Sequence, residues 1–400
     1  MMLPKGFKVG GVKCGIYEKG VKKDIAVFVS ETPASAAGMF TKSVTKAAPV
    51  IFDINLLSKS KKINAVIVNS GCANACTGKK GLDDAAKMAQ LTQKAFNLPD
   101  NSVLVGSTGV IGQYLPMDKI VRGVEALKNA VGTKSIDEKN AAQAIMTTDT
   151  YPKYISKKFK INGGLATVWG CAKGAGMIHP SMSFNGLHAT MLSYILTDAY
   201  IETKTLQKCL ETAVKQSFNC ISVDGDTSTN DTVIILANGA SGVKLSGANL
   251  KTFQNALNEI TLSLAKDIAR DGEGATKFVE IEVSGAASAA CAAQIASTIA
   301  TSPLFKTAIF GRDANWGRII AAAGRAGVNF DPYKADIFVG SLKVCKKGQA
   351  VVFDESKAKK ILNKKEIKIT LNLNDGKYSA KYYTCDFSLD YVKINADYRS

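Results

Sequence analysis

Residues 367–383, IKITLNLNDGKYSAKYY, contain the pattern that is most decisive for the fold. Every second residue from Ile367 to Leu373 is apolar, as in a strand that buries one face. The Asn-Asp-Gly sequence at 374–376 is typical of a tight turn, and Tyr378–Tyr383 follows as a second extended segment. The pattern predicts a β-hairpin, and this antiparallel component excludes a purely parallel, doubly wound sheet.

The rest of the chain alternates short apolar runs with helical patterns. The predicted strands are Ile63–Val68, Val103–Val105, Thr232–Ala237 and the alternating segment Val279–Val283. The predicted helices, with apolar residues at three- and four-residue spacing, are Leu82–Phe96, Thr205–Phe218 and Phe253–Ile268. The fold class predicted from this order is α/β, a layered sandwich of mixed or antiparallel sheets flanked by helices.

The composition limits the classes of function that this chain can have. The 400 residues carry a net charge of +17, but 45 of the 51 basic residues are lysines, scattered as single residues and pairs. A solvated surface explains this better than a nucleic-acid interface, which favours arginine and interleaved aromatic residues. No apolar run is long enough for a membrane span, and the N-terminus lacks the apolar core of a secretory signal, so a soluble cytoplasmic protein is expected. The nine cysteines include no CxxC pair, which favours free thiols over disulfides or zinc.

A glycine-rich segment, Gly106–Gly112, follows a predicted strand. It lacks the Gly-Lys-Ser/Thr ending of a phosphate loop and the spacing of a dinucleotide fingerprint. Its exposed N–H groups and the Thr108 hydroxyl suit an oxyanion, although these residues alone favour a plain strand-end turn without a chemical role.

Three further loops carry polar residues. Lys173 precedes Gly174-Ala175-Gly176, where it either pairs with a substrate carboxylate or belongs to an ordinary surface turn. Asp224–Thr232 resembles a calcium loop but lacks the glutamate at loop position 12. Asp271–Lys277 closes the helix that ends near Arg270, with Gly272 or Gly274 as the cap and Glu273 as loop charge.

Catalysis by histidine is constrained, because only His179 and His188 are present. Thr190 follows a small residue, Ala189, and precedes an apolar run, which either begins an ordinary strand or provides an internal nucleophile. Cleavage of the Ala189–Thr190 bond would give Thr190 a free α-amine, whose usual pKa of about 7.7–8.0 suits a general base without histidine.

Taken together, the motifs resemble the ornithine acetyltransferase (glutamate N-acetyltransferase) family of arginine biosynthesis. They run in order across nearly the whole chain: Asn69–Gly78, Ser107–Gly112, Met146–Thr150, Lys173–Ile178, Ala189–Leu192, Asp224–Thr232, Asp271–Lys277, Asn315–Ile319 and Asn395–Ser400.

The resemblance implies that the precursor cleaves itself between Ala189 and Thr190, giving an α chain of residues 1–189 and a β chain of residues 190–400 that form one intertwined unit. Thr190 would take the acetyl group of N-acetyl-L-ornithine and pass it to L-glutamate by a ping-pong mechanism without a cofactor or metal. Thr108 and the Gly109 N–H would form the oxyanion hole. The implied substrate contacts are Thr147, Lys173, Thr190, Glu273, Asn395 and Ser400.

The resemblance also implies an α2β2 heterotetramer and, in bifunctional members, acetyl-CoA as a second donor. Thr148 is an alternative to its neighbour Thr147. Ser183–His188 looks like an insertion directly before the scissile bond, and Cys72 stands where the family typically has asparagine. The rival hypotheses are an N-terminal-nucleophile amidase or aminopeptidase on a similar scaffold and a non-enzymatic nucleic-acid binder.

Overall fold

The computed structural model describes residues 2–18, 20–60, 62–161, 164–180, 182 and 191–397. The chain divides into two compact units. The first unit comprises residues 1–219 and 226–268, and the second unit comprises residues 220–225 and 269–400. Each unit has its own sheet.

The sheet of the first unit is mixed. Its strands are β1 (Phe7–Val12), β2 (Ile25–Phe40), β3 (Lys62–Cys72), β4 (Val103–Val110), β5 (Lys153–Ile161), β6 (Gly164–Lys173), β7 (Leu192–Thr197) and β8 (Thr232–Ala237). Their order is β4-β3-β2-β8-β7-β6-β5, and β1 pairs with the first half of β2. The pairs β3–β4 and β7–β8 are parallel, and the others are antiparallel.

Both faces of this sheet are buried. Phe28 on β2 stacks on Tyr194 of β7 with ring centroids 5.1 Å apart, while its neighbour Val27 lies in the core of the opposite face. Successive side chains of a strand point to opposite faces, so an uninterrupted apolar run is the expected sequence for such a strand. The helices of this unit are α1 (Ala48–Lys59), α2 (Gly78–Phe96), α3 (Met117–Leu127), α4 (Ser135–Ala144), α5 (Thr203–Lys215) and α6 (Ala248–Arg270), whose last two residues belong to the second unit.

The second unit has a six-stranded mixed sheet. Its elements are β9 (Phe278–Ala286), α7 (Ala289–Ala300), α8 (Pro303–Phe310), α9 (Trp316–Gly324), β10 (Asp336–Val339), β11 (Leu342–Lys346), β12 (Gln349–Ala350), α10 (Glu355–Leu362), β13 (Glu366–Asn372), β14 (Tyr378–Cys385) and α11 (Leu389–Ala396). The strand order is β12-β11-β10-β13-β9-β14. Alternate residues of β9, from Val279 to Val283, pack with Ile295 and Ile299 of α7 in one core.

The predicted C-terminal hairpin is wrong, although both strands exist. Strand β9 lies between β13 and β14, parallel to the first and antiparallel to the second. The turn residues bond to the end of β9 instead of closing a hairpin, with Leu373 N–H donating to Ser284 O at 2.9 Å and Asp375 N–H to Gly285 O at 2.8 Å. The predicted antiparallel component is confirmed, and so is the α/β class with mixed sheets.

Most of the predicted boundaries differ from the observed ones, and two of the differences change how a segment is interpreted. Helix α5 ends at Lys215, and Phe218 lies in a separate short 3-10 turn. Strand β4 extends through the glycine-rich segment to Val110, because Ser107–Val110 pair with the end of β3. Among the described helices, none combines the length and the apolar character that a membrane crossing requires.

Candidate active site

Thr108 and Gly109 lie at the end of β4, beside the end of β3. Thr108 pairs with Ser70 and Gly109 with Gly71, and the register is irregular at the next residue of β3, Cys72. Gly109 has φ +131°, and a Cβ built on it would lie 2.3 Å from the carbonyl carbon of Gly71. Both the backbone conformation and the close approach of β3 therefore require glycine here.

Lys173, the last residue of β6, joins two of the predicted site residues. Its ammonium nitrogen lies 3.2 Å from Thr108 Oγ1 and 2.8 Å from Thr147 Oγ1. Lys173 is only 2% exposed, so its assignment to a surface turn is wrong. Of the two candidate threonines, Thr147 is the one that Lys173 bonds.

This arrangement leaves the Thr108 hydroxyl able to donate a hydrogen bond. An ammonium group only donates, so Thr108 Oγ1 accepts from Lys173 and its own proton remains available to another acceptor. A buried hydroxyl donor beside a glycine N–H at a strand end is a suitable pair of donors for a negatively charged oxygen. The adjacent ammonium adds positive charge in a site with little water, where electrostatic interactions are strong.

Asp149 connects the segments that form the site. The sequence analysis assigned it no role. Its carboxylate accepts hydrogen bonds from Lys153 Nζ at 2.7 Å, Gly174 N–H at 2.7 Å and Thr147 N–H at 3.1 Å. Burial opposes ionisation, but the charges of Lys153 and Lys173 and these hydrogen bonds outweigh it, so the pKa of Asp149 is lowered. The carboxylate thus holds the segments that carry Thr147 and Lys173.

A second lysine approaches the site from the N-terminal loop. Lys22 Nζ donates to the carbonyl of Thr147 and lies 4.5 Å from the centre of the Tyr17 ring. Burial, reinforced by the charge of Lys173, lowers the pKa of Lys22, while Asp149 opposes the shift. Asp24 fixes the loop, because its buried carboxylate accepts from four successive N–H groups at residues 14–17. The surroundings of Thr147 are therefore cationic and suit an anionic substrate group.

Side chains directly before β8 bond to β4, to the residue after β3 and to the residue before β7. Asn230 Nδ2 donates to Ser107 O at 2.8 Å and to Ala73 O at 2.6 Å, and Met191 N–H donates to Asp231 Oδ1. The sequence analysis compared these residues with a calcium loop and included them among the family motifs, without assigning a role to Asn230 or Asp231. The described residues contain no cluster of side chains suited to a metal ion.

Several predicted residues lie outside the described part of the chain: His188, Ala189, Thr190 and Ser400, as well as the suspected insertion Ser183–His188. The described chain resumes at Met191, directly before β7. His179 is half-buried and is involved in an interaction.

Glu273 and Asn395 meet in the second unit. Glu273 lies in the loop between α6 and β9 and is 7% exposed, and Asn395 Nδ2 of α11 donates to its carboxylate at 2.9 Å. The loop and the helix are in close contact, since a Cβ at Gly274 (φ +67°) would lie 2.4 Å from the backbone nitrogen of Tyr391. Ser388 Oγ, at the start of α11, also donates to Gly274 O at 2.5 Å.

Comparisons with known proteins find relatives over the whole length of the chain. The model of the ArgJ family matches residues 8–400. The "Arginine biosynthesis bifunctional protein ArgJ" of Thermotoga neapolitana is 49% identical over the full length of both chains. The mitochondrial protein of the same description from Yarrowia lipolytica is 44% identical over 99% of this chain and 94% of its own. The crystal structure of the Bacillus halodurans protein of that description matches with 44% identity and a TM-score of 0.51, over 52% of this chain and 100% of the solved chain.

Proposed function

This chain belongs to the ArgJ family and is an acetyltransferase of arginine biosynthesis, and we propose that it transfers the acetyl group of N-acetyl-L-ornithine to L-glutamate through Thr190. The observation that carries the proposal is the buried Lys173 ammonium between the Thr108 and Thr147 hydroxyls, beside the strand end that holds Gly109. Its positive charge and oriented donors suit a substrate that carries a carboxylate and passes through an oxyanion.

Before acetyl transfer, the chain is cleaved once, between Ala189 and Thr190. The resulting chains, residues 1–189 and 190–400, would share the sheet of the first unit, because β1–β6 precede the cleavage site and β7 and β8 follow it. The solved Bacillus halodurans chain is matched over its full length by 52% of this chain. Residues 190–400 make up about 53% of this sequence, so the size of the match supports separate chains.

In the first half-reaction, the Thr190 hydroxyl attacks the acetyl carbonyl and its proton passes to the Thr190 α-amine. An α-amine is a suitable acceptor of this proton, because its usual pKa of about 7.7–8.0 lies close to neutral pH. The Thr108 hydroxyl and the Gly109 N–H stabilise the oxyanion of the tetrahedral intermediate. The intermediate collapses as the C–N bond breaks, the proton passes to the departing nitrogen, and ornithine leaves an acetyl ester on Thr190.

In the second half-reaction, the α-amine of glutamate attacks this ester and regenerates the threonine hydroxyl. Both substrates carry an α-carboxylate, for which Lys173 and Thr147 provide donors. Glu273 offers a negative charge to the cationic side chain of ornithine, and Asn395 holds its carboxylate at 2.9 Å. Ser400 and the Thr190 side chain complete the proposed contacts. None of these steps requires a cofactor.

The proposal extends to the assembly and its setting. The two chains form an α2β2 heterotetramer, and acetyl-CoA serves as a second acetyl donor, in keeping with the "bifunctional" description of the relatives. All nine cysteines are free thiols, which supports a reducing compartment, and we place the enzyme in the cytoplasm.

Two measurements test the proposal. Intact mass under denaturing conditions should show two fragments that meet at Ala189/Thr190 for the wild type and one chain for Thr190→Ala. Acetyl transfer from N-acetylornithine to glutamate should exceed the release of free acetate. An active, uncut wild-type chain would contradict the mechanism, and a preference for water as acceptor would favour the amidase alternative.

A further inference from the structure

The side chain of Asp231 lies next to the backbone that follows the proposed nucleophile. Its Oδ1 accepts a hydrogen bond from Met191 N–H, and the backbone of the next residue, Thr232, donates to Met191 O at 3.0 Å. Met191 and Asp231 are completely buried. Met191 is therefore held on both its N–H and its C=O, which fixes the backbone directly before β7.

The second oxygen of this carboxyl group is unusual. Asp231 Oδ2 is buried and has no hydrogen-bond partner among the described residues. Desolvation raises the pKa of Asp231 well above its usual value, and the Met191 N–H and the charge of Lys173 offset this only in part. A buried carboxyl with one unused oxygen is costly unless a cationic or donor group reaches it.

Cleavage would create such a group nearby. The α-nitrogen of residue 190 is connected to the amide nitrogen of Met191 by three bonds of about 1.3–1.5 Å each, so the two nitrogens are within about 4 Å of each other in any conformation. Asp231 already contacts that amide nitrogen. In the uncut chain the α-nitrogen belongs to a neutral peptide bond, and after cleavage it is an amine that can carry a proton.

We propose that Asp231 is a positioning residue for the Thr190 nucleophile: Oδ1 anchors the chain through Met191, and Oδ2 pairs with the α-amine that cleavage creates. This inference rests on the proposed function, to which it adds the group that orients the base. The Asp231 carboxyl and the Thr190 α-amine together hold one proton, which can lie on either group. The pairing therefore needs no other reactant.

The neighbouring Asn230 gives independent support for a positioning role of this segment. Its Nδ2 binds the carbonyl of Ser107, directly before Thr108. Two consecutive side chains thus hold the backbone before the oxyanion donor and the backbone after the nucleophile.

The charges around Asp231 determine the expected effect of pH. Strands β7 and β8 carry no charged side chain, and the one charged residue of β2, the other neighbour of β8, is the exposed Glu31, which pairs with Lys8. Lys173 of β6 is the charged side chain that acts on Asp231. Asp149, with Lys153, lies behind Lys173. With the Asp231 carboxylate present, the α-amine has an opposing charge. Without it, the field of Lys173 remains, and the pKa of the amine should fall by about 1–3 units, the usual effect of losing an opposite charge at this distance.

The test compares Asp231→Asn with Asp53→Asn. Asparagine at 231 retains an oxygen for Met191 N–H, so cleavage should still occur. Asp53 is a matched control: it is also completely buried, its Oδ1 accepts from Val105 N–H at 2.9 Å, and its Oδ2 has no partner among the described residues. Each variant removes one buried carboxyl while keeping one hydrogen bond.

The acidic limb of kcat/KM against pH reports the base of the free enzyme. We expect this limb to move to lower pH by about 1–3 units in Asp231→Asn and to stay in place in Asp53→Asn. An unchanged limb in Asp231→Asn would overturn the proposal, and so would a folded variant that remains uncut.

Labelling of the α-amine of the wild-type β chain as a function of pH provides a measurement that does not depend on a variant. Pairing with Asp231 predicts a pKa above the usual value of about 8 despite the nearby lysine, and a pKa below it would overturn the inference. Failure of the proposed function would show separately, as a wild-type chain that is not cut at Thr190 or has no acetyl transfer.

Discussion

Lys173→Met tests the substrate-binding role of Lys173 separately from its contribution to stability. Methionine is unbranched and of similar length, so it fills the volume of a lysine that is 2% exposed while removing the ammonium group. Thr108 and Thr147 lose their shared donor, and Asp149 loses one of the two lysine charges that lower its pKa.

The expected loss can be estimated from these contacts. A hydrogen bond to a charged group contributes about 1.5–3 kcal/mol. One such contact to a substrate carboxylate therefore corresponds to a loss of about 10- to 150-fold in kcat/KM, since 1.4 kcal/mol is a factor of ten. Loss of the carboxylate contact should raise KM, because the carboxylate is bound equally in the ground state and the transition state, and loss of the ammonium beside Thr108 should lower kcat. The stability cost should be about 1–3 kcal/mol, because Asp149 keeps Lys153 and two N–H donors.

Lys153→Met is the matched control. Lys153 is also buried, and it pairs directly with Asp149 and contacts Tyr151. It should lower the free energy of unfolding by about 3–5 kcal/mol, the usual cost of breaking a buried ion pair, with little change in kcat/KM. The assays are steady-state acetyl transfer to glutamate and chemical denaturation. Equal kcat/KM values in Lys173→Met and the wild type, or an equal loss of activity in Lys153→Met, would refute the role of Lys173.

Three other predictions concern the same cluster. Thr147→Val should raise the KM for N-acetylornithine and Thr148→Val should not, as steady-state kinetics will show; equal effects would contradict the assignment of Thr147. Thr108→Ala should lower kcat by about 10- to 1000-fold, whereas unchanged turnover would remove Thr108 from the oxyanion hole. Asp149→Asn should destabilise the protein at neutral pH by about 3–5 kcal/mol in denaturant titrations. Because the folded-state pKa of Asp149 is lowered, the wild type has this stability above pH ~4 and loses it as pH falls toward the folded pKa, so the variant and the wild type should converge in acid.

Local patterns were sufficient to predict some of the elements of secondary structure. The alternation and helical spacing identified β3, β4, β8, β9, α2, α5 and α6, because each has a continuous apolar face. The pairing of β13 and β14 could not be predicted in the same way. Their turn sequence suits a hairpin, and only the tertiary fold shows that β9, nearly 90 residues earlier in the chain, lies between them.

The candidate site was predicted from motifs and not from its geometry. The family resemblance indicated Thr108, Gly109, Thr147 and Lys173, and the structure brings the three side chains together at β4 and β6. The role of Asp149 was missed, although its motif was noted, because an aspartate two residues after a threonine gives no sign in the sequence of lying between two lysines. Such buried charge networks depend on contacts between distant segments.

The central claim is that Thr190 carries the acetyl group, and rapid-quench mass spectrometry tests it most directly. The purified enzyme is mixed with N-acetylornithine in the absence of glutamate, quenched in acid and analysed as intact chains. The account predicts that the 190–400 chain gains the mass of one acetyl group, located on Thr190 by fragmentation, and loses it when glutamate is added before the quench. A 190–400 chain that turns over substrate without ever carrying an acetyl group would contradict the account.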